Sequence, residues 1–291
     1  MNPALIEVKQ DRPGFNGFIG SWVCVGDINF VVDVGPSNSV NRLIESIKAM
    51  KIDRVDYILV THIHIDHAGG LAHILDHFPM AKAICHEKGI KHLVDPSKLW
   101  DGSLKTLGEV AESYGPLRPV KKERLIPHTE ADIKDIKIIE TPGHAPHHIS
   151  FSYRGNLFAG EAAGNYCTIS GKEYLRPATP PIFLLEECLT SVDKLLAMEE
   201  MPMYYGHFGQ VESSHQLLKR FRHQLLRWND IIKEEITTEN SNLSERCLES
   251  LLEKDPDLKT FEFMDSDMQM RERFFLSNSV RGYLGYLKEN S

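Results

Sequence analysis

The sequence predicts a mixed α/β domain followed by a helical extension. Three observations predict it. Strand-like and helix-like segments alternate as far as Tyr205. Three histidines and an aspartate crowd the run Thr61-His62-Ile63-His64-Ile65-Asp66-His67, directly after an apolar strand. Beyond His207 strand signals stop, and apolar residues recur only at helical spacing.

The elements follow in order. Asn29-Phe30-Val31-Val32-Asp33-Val34-Gly35 is a β-branched run ending at a Gly-Pro turn, a buried strand. Ser37 or Ser39 is placed to cap a helix whose apolar face is Val40, Leu43, Ile44 and Ile47. Val55 to Val60 is the strand that delivers the histidine run. Leu71, Ile74, Leu75 and Phe78 mark a helix that Pro79 ends, and Ala81 to His86 is a further strand. Pro96 to Tyr114 reads as one helix stopped by Gly115-Pro116. Ile136 to Ile139 leads to Thr141-Pro142-Gly143-His144. Ile149-Ser150-Phe151-Ser152-Tyr153 alternates like a half-buried strand, Arg154-Gly155-Asn156 turns, and Leu157-Phe158-Ala159 returns. Leu184 to Met198 is a helix, and Met203 to Tyr205 is the strand before Gly206-His207. Val211 to Ile236 then carries a long amphipathic stripe, and Leu243 to Leu252 and Met268 to Leu287 are two more helices. The expected organisation is a domain over residues 1–210 and a helical cap or dimerisation extension over 211–291.

Composition narrows the function. The chain has 291 residues, ample for a buried core. Its 33 basic and 41 acidic residues give a net charge of −8, which disfavours a nucleic-acid partner. From Asp230 to Glu272 there are 13 acidic and 5 basic residues, a stretch expected to be a solvated acidic surface. The five cysteines, Cys24, Cys85, Cys167, Cys188 and Cys247, have no CxxC spacing and read as free thiols in a reducing compartment. No apolar run reaches the roughly 20 residues of a membrane helix, and Met1 to Glu7 has no signal-peptide pattern. A cytoplasmic protein with no membrane partner is the expectation.

The chemistry resides in the histidine run. On a loop leaving a strand, residues two apart face the same way while the next turn redirects those that follow, so one segment can feed two neighbouring metals. Imidazole and carboxylate suit zinc, iron or manganese. No Ser-His-Asp nucleophile motif or phosphate-cradling glycine loop competes.

Leu59-Val60-Thr61-His62-Ile63-His64-Ile65-Asp66-His67-Ala68-Gly69-Gly70 closely resembles the metal-binding signature of the metallo-β-lactamase superfamily. Further matches follow along the chain. Asp33-Val34-Gly35 resembles the family's early Asp-x-Gly, Thr141 to His144 the loop of the third histidine, Phe158-Ala159-Gly160-Glu161 the loop of the bridging carboxylate, and Gly206-His207 the final histidine. The resemblance implies a four-layer αββα sandwich. It implies two divalent metals, zinc before iron or manganese: His62, His64 and His144 at the first, Asp66, His67 and His207 at the second, and Glu161 bridging. Most family members have Asp where this chain has Glu161, whose extra methylene moves the carboxylate by roughly 1.5 Å.

The expected activity is a metallo-hydrolase that uses a metal-bound hydroxide on a small ester, thioester, lactone or phosphodiester, as in the glyoxalase II and lactonase branch and the capped thioesterase-like members of quinolone signalling pathways. Asp66 would serve as ligand and as orienter of the nucleophile. Tyr166, Tyr174 and Arg176 follow Glu161 closely and would line the substrate site, with Arg176 pairing a carboxylate or phosphate. His147 and His148 are read as non-ligands, and Cys167 as a bystander thiol. Exposed Phe274, Phe275, Tyr283 and Tyr286 would permit a homodimer through the C-terminal helices. Two alternatives are an oxygenase resembling persulfide dioxygenases, with one iron on His62, His144 and Glu161, and a non-catalytic metal-bearing ligand-binding protein.

Overall fold

The structure, a computed structural model, describes residues 2–237 and 242–290, so residues 238–241 of the acidic stretch lie outside it. It resolves into two compact units, residues 1–139 with 147–154 and 206–208, and residues 140–146, 155–205 and 209–291.

The first unit is organised by a six-stranded sheet in sequential order: β1 (Ala4–Glu7), β2 (Gly20–Cys24), β3 (Phe30–Val32), β4 (Tyr57–Leu59), β5 (Lys82–Cys85) and β6 (Leu125–Pro127). β1 to β3 pair antiparallel, and β3 to β6 are parallel. Parallel neighbours need crossovers, which these helices supply. α1 (Val40–Ala49) joins β3 to β4, α2 (Ile65–Ala68) and α3 (Leu71–His77) join β4 to β5, and α4 (Glu87–Val94), α5 (Ser97–Leu107) and α6 (Glu109–Tyr114) join β5 to β6. α1 buries the four apolar residues its spacing predicts. Ser39 does occupy its N-cap position, but the hydroxyl turns back to the Pro36 carbonyl instead of capping the helix. The single helix expected over Pro96 to Tyr114 is two, broken where Gly108 takes φ +53°. α4 and β6 have no counterpart in the sequence reading.

β7 (Ile136–Glu140) neighbours β8 (Ile149–Tyr153). The alternation along β8 predicts one solvated face, yet all five residues are buried. Small serine side chains are compatible with a covered face, and Tyr153 packs edge-on against Phe30 at 5.0 Å.

In the second unit β9 (Asn156–Gly160) pairs parallel with β12 (Met203–Tyr205), which pairs antiparallel with β13 (Gln210–Val211). β10 (Asn165–Ile169) and β11 (Lys172–Arg176) form a separate hairpin whose two turn residues, Ser170 and Gly171, both take positive φ. That is the two-residue turn whose twist suits a hairpin. α7 (Leu185–Leu196), α8 (Ser214–Ile236), α9 (Leu243–Lys254) and α10 (Ser266–Glu289) complete the unit.

Two expectations are corrected here. Tyr283 and Tyr286 are not exposed: both pack on Phe183, and the Tyr283 hydroxyl donates to the Leu225 carbonyl at 2.9 Å. The acidic stretch is not all solvated either. Asp255 is buried, accepting from Trp228 Nε1 and Gln224 Nε2 and pairing with Arg227, while Asp257 pairs with Arg220 and Arg227. All five cysteines are free thiols. No helix among the described residues is long and apolar enough to cross a membrane.

Candidate metal centre

In an open parallel sheet the chain leaves each strand at its carboxyl end, and residues leaving adjacent strands meet there. Asp33 directly follows β3 and Thr61–His67 follows the neighbouring β4. The Asp33 amide donates to the Leu59 carbonyl at 3.0 Å, fixing the register of the two exits. Asp33 itself takes φ +55°, unusual for a residue with a side chain. That turn aims its carboxylate at the histidine loop. Oδ1 accepts the Thr61 amide at 2.8 Å, and Oδ2 accepts the Thr61 hydroxyl and His67 Nδ1, each at 2.8 Å.

These bonds determine which imidazole nitrogen carries the proton. Asp33 accepts from His67 Nδ1, so in the neutral ring Nε2 holds the lone pair. The Thr61 hydroxyl spends its one proton on Asp33. It therefore accepts from His62 Nδ1, 3.0 Å away, and His62 Nε2 also holds its lone pair. One carboxylate thus leaves Nε2 as the atom that each of these two imidazoles could offer a metal, the arrangement metal-binding histidines use.

Further imidazoles of the first unit gather on this loop. His64 packs against His62 with ring centroids 4.6 Å apart, and His67 lies 4.1 Å from His62. His207 meets His67 at 4.9 Å. The ligand-type atoms of Asp66, His67 and His207 all fall within 4.8 Å of one another. Asp66 Oδ2 stands 3.9 Å from His67 Nε2 and 3.7 Å from His207 Nε2. These separations exceed hydrogen-bond length. They approach the roughly 3.4–3.6 Å between two ligand atoms each about 2.1 Å from a shared ion. The three residues fit a divalent metal.

The second unit holds a pair of its own. His144 Nδ1 donates to the Ala178 carbonyl at 2.9 Å, leaving Nε2 to face Glu161 Oε2 at 2.8 Å. Asn165 Nδ2 donates to the other carboxylate oxygen, Oε1, at 3.0 Å. The loop before His144 is pinned by Ser191, whose hydroxyl bonds the Pro142 carbonyl, and Gly143 passes so close to Cys188 that a Cβ would sit 2.5 Å from its sulfur.

A family model described as the metallo-beta-lactamase superfamily matches residues 18–207. The chain belongs to the metallo-β-lactamase superfamily. ST1585, a metallo-beta-lactamase fold-containing protein of Sulfurisphaera tokodaii, is 29% identical over 218 residues, 72% of this chain and 78% of its own. Its crystal structure matches with a TM-score of 0.70 at 22% identity, covering 98% of this chain and 99% of that one. The mixed α/β fold is therefore the superfamily's. A hydroxyacylglutathione hydrolase of Aeromonas hydrophila is 30% identical over 131 residues, 45% of this chain and 41% of its own. An atrochrysone carboxyl ACP thioesterase of Aspergillus fumigatus is 24% identical over 257 residues, 83% of this chain and 70% of its own.

Within this superfamily member, the other residues singled out in the sequence take varied places. Tyr166 donates to Glu173 and stacks on Tyr205. Tyr174 and Arg176 are buried and both reach Glu272, which also takes Arg271. Burial opposes ionisation of Glu272, but Arg176 and Arg271 outweigh it and hold its carboxyl below the usual range. Burial pushes the Cys167 thiol up to about 12, an unreactive setting. His148 is buried, its ring 5.2 Å from His62, and His147 lies 5.8 Å from His64.

Three residues escape the sequence reading. Phe18 stacks on His207 at 4.4 Å, and Gly20 admits the His207 backbone, since a Cβ there would lie 2.4 Å from its carbonyl oxygen. Asn165 is the third. The Ser170-Gly171 turn between two β-prone runs was the available signal for the hairpin that carries it.

Proposed function

We propose that the protein is a metal-dependent hydrolase of a small ester, thioester, lactone or phosphodiester. His62, His64 and His144 hold one divalent metal, Asp66, His67 and His207 a second, and Glu161 is shared, with zinc before iron or manganese. Residues 1–210 form the catalytic domain, and 211–291 a helical extension that restricts substrates to small molecules or pairs two chains. The observation that carries the reading is the spacing of Asp66 Oδ2 from two imidazole nitrogens, at 3.9 and 3.7 Å, beyond hydrogen bonding.

Divalent ions held there would lower the pKa of water toward neutrality and polarise the scissile oxygen. The protein's own residues prepare that chemistry. Asp33 and Thr61 keep the proton of His62 and His67 on Nδ1, and the Ala178 carbonyl does the same for His144. Phe18 covers one face of His207 and keeps water from it. Asp66 orients the attacking water. Relatives named as a hydroxyacylglutathione hydrolase and an ACP thioesterase favour a thioester within the substrate class.

The test is a panel of thioester, lactone and bis-aryl phosphodiester substrates, with zinc, manganese or iron added to purified protein. Turnover of one class that His64→Ala abolishes is the expected result. Inactivity of every metallated form, or activity untouched by His64→Ala, contradicts the reading.

A further inference from the structure

We infer that Asn165 is a positioning residue that makes Glu161 a one-oxygen metal ligand. The inference rests on the proposal that Glu161 binds metal. It starts from a problem the sequence poses. A Glu at this position carries one more side-chain torsion than the family's usual Asp, so its carboxylate can swing, or turn both oxygens onto one ion. Something in this chain must fix its direction.

The second unit shows what does. Oε1 is engaged by Asn165 Nδ2 at 3.0 Å, and Oε2 faces His144 Nε2 at 2.8 Å. The two carboxylate oxygens are thereby given different tasks. The orientation of the Asn165 amide is settled by chemistry: flipped, its oxygen would oppose a carboxylate oxygen. In the orientation that bonds Glu161, its own Oδ1 is buried with no hydrogen-bond partner among the described residues. A residue kept only for packing would be expected to satisfy both ends of a buried amide. This one leaves its acceptor unmet to keep its donor on Glu161.

Asn165 is itself held firmly. It opens β10 and sits across the hairpin from Arg176, which is buried and anchored on Glu272 of α10. Arg176 also senses the Glu161 charge. The hairpin therefore fixes the place of the amide, and the amide fixes the longer ligand. This compensates for the added methylene and keeps the ligating oxygen in one place.

The test compares metal affinity, by competition with a chromophoric chelator, in the full-length protein and in Asn165→Ala and Asn165→Leu. The Leu variant keeps the branched side-chain shape and removes the amide, whose oxygen has no partner among the described residues to lose, so the donor to Glu161 is the one hydrogen bond lost. Both should bind zinc roughly 10- to 100-fold more weakly, the usual effect of removing a partner that orients a ligand. The melting temperature of the metal-free Leu variant should stay near that of the parent, which separates orientation from folding. Glu161→Asp supplies the decisive arm, because the shorter carboxylate is withdrawn from Asn165. In that background Asn165→Leu should cost little more, so the two effects will not add. Unchanged affinity in Asn165→Leu, or full additivity with Glu161→Asp, overturns the inference while leaving Glu161 a ligand. Unchanged affinity in Glu161→Ala shows instead that Glu161 does not bind metal, and both readings fall together.

Discussion

The Thr61–His67 loop and the cluster around Glu272 are both buried, polar and dense in charge, yet they are built to opposite ends. Around Glu272 the groups close on one another: Arg176, Arg271 and Tyr174 all reach a single carboxylate at hydrogen-bond distance. Around the histidine loop, Nδ1 of His62 and His67 is tied down, while Nε2 of His67 and of His207 stands 3.7–3.9 Å from Asp66 Oδ2. The first pattern neutralises charge inside a fold. The second sets ligand-type atoms at spacings that fit a shared ion. Charge and burial alone would rank the two regions alike; the distances between like-purposed atoms separate them.

The largest expected effect breaks the functional side. His67→Ala removes a proposed ligand and should cost hydrolysis several kcal/mol of transition-state stabilisation, roughly a thousandfold in rate. Folding should survive, as judged by circular dichroism.

Glu272→Gln should reverse that pattern. It leaves two buried guanidinium groups without their counter-charge, and losing one partner of a buried pair costs about 3–5 kcal/mol. Chemical denaturation should register that loss while metal content at low denaturant stays the same. A loss of metal with unchanged stability would collapse the distinction between the clusters. The sign with pH follows from the lowered folded-state pKa of Glu272. Its stabilisation is complete above the unfolded value near 4.5 and drains as pH falls below that. The parent should lose stability across that acid range more steeply than Glu272→Gln.

Asp33→Ala sharpens the comparison at a residue that touches no proposed metal. It frees the proton position on His67 and, through Thr61, on His62, and should weaken zinc binding roughly 10- to 100-fold. The smallest effect belongs to Gly20→Ala. Its Cβ would meet the His207 carbonyl and the Leu5 side chain, and the backbone shift should cost about 1–3 kcal/mol of stability. Thermal melts and zinc titration together would show whether that shift is passed on to the His207 ring.

The sequence made legible whatever is written locally. Asp66 and His67 sit inside one recognisable run, and α1 shows its buried face as Val40, Leu43, Ile44 and Ile47. The family pattern extended that reading to Asp33. Illegible were the contacts that depend on how distant segments meet. Phe18 shows nothing in sequence to link it to His207. Arg176 looks like an anion-binding arginine until α10 brings Glu272 to it from 96 positions away. Tyr283 and Tyr286 look exposed on a polar helix until Phe183 covers them. Gly108 reads as one weak residue in a helical pattern, and only its positive φ shows that the helix breaks there. Asn165 gives no local sign at all, because its role comes from hairpin register and the extra reach of Glu161.

The central claim is that Asp66, His67 and His207 form a metal site. Its most direct test is metal stoichiometry, by mass spectrometry of purified protein reconstituted with zinc, in the parent and in His207→Ala. The account predicts two equivalents per chain in the parent and one in the variant, with the fold intact in both. Equal zinc content in the two proteins, or a parent that retains none, would contradict it.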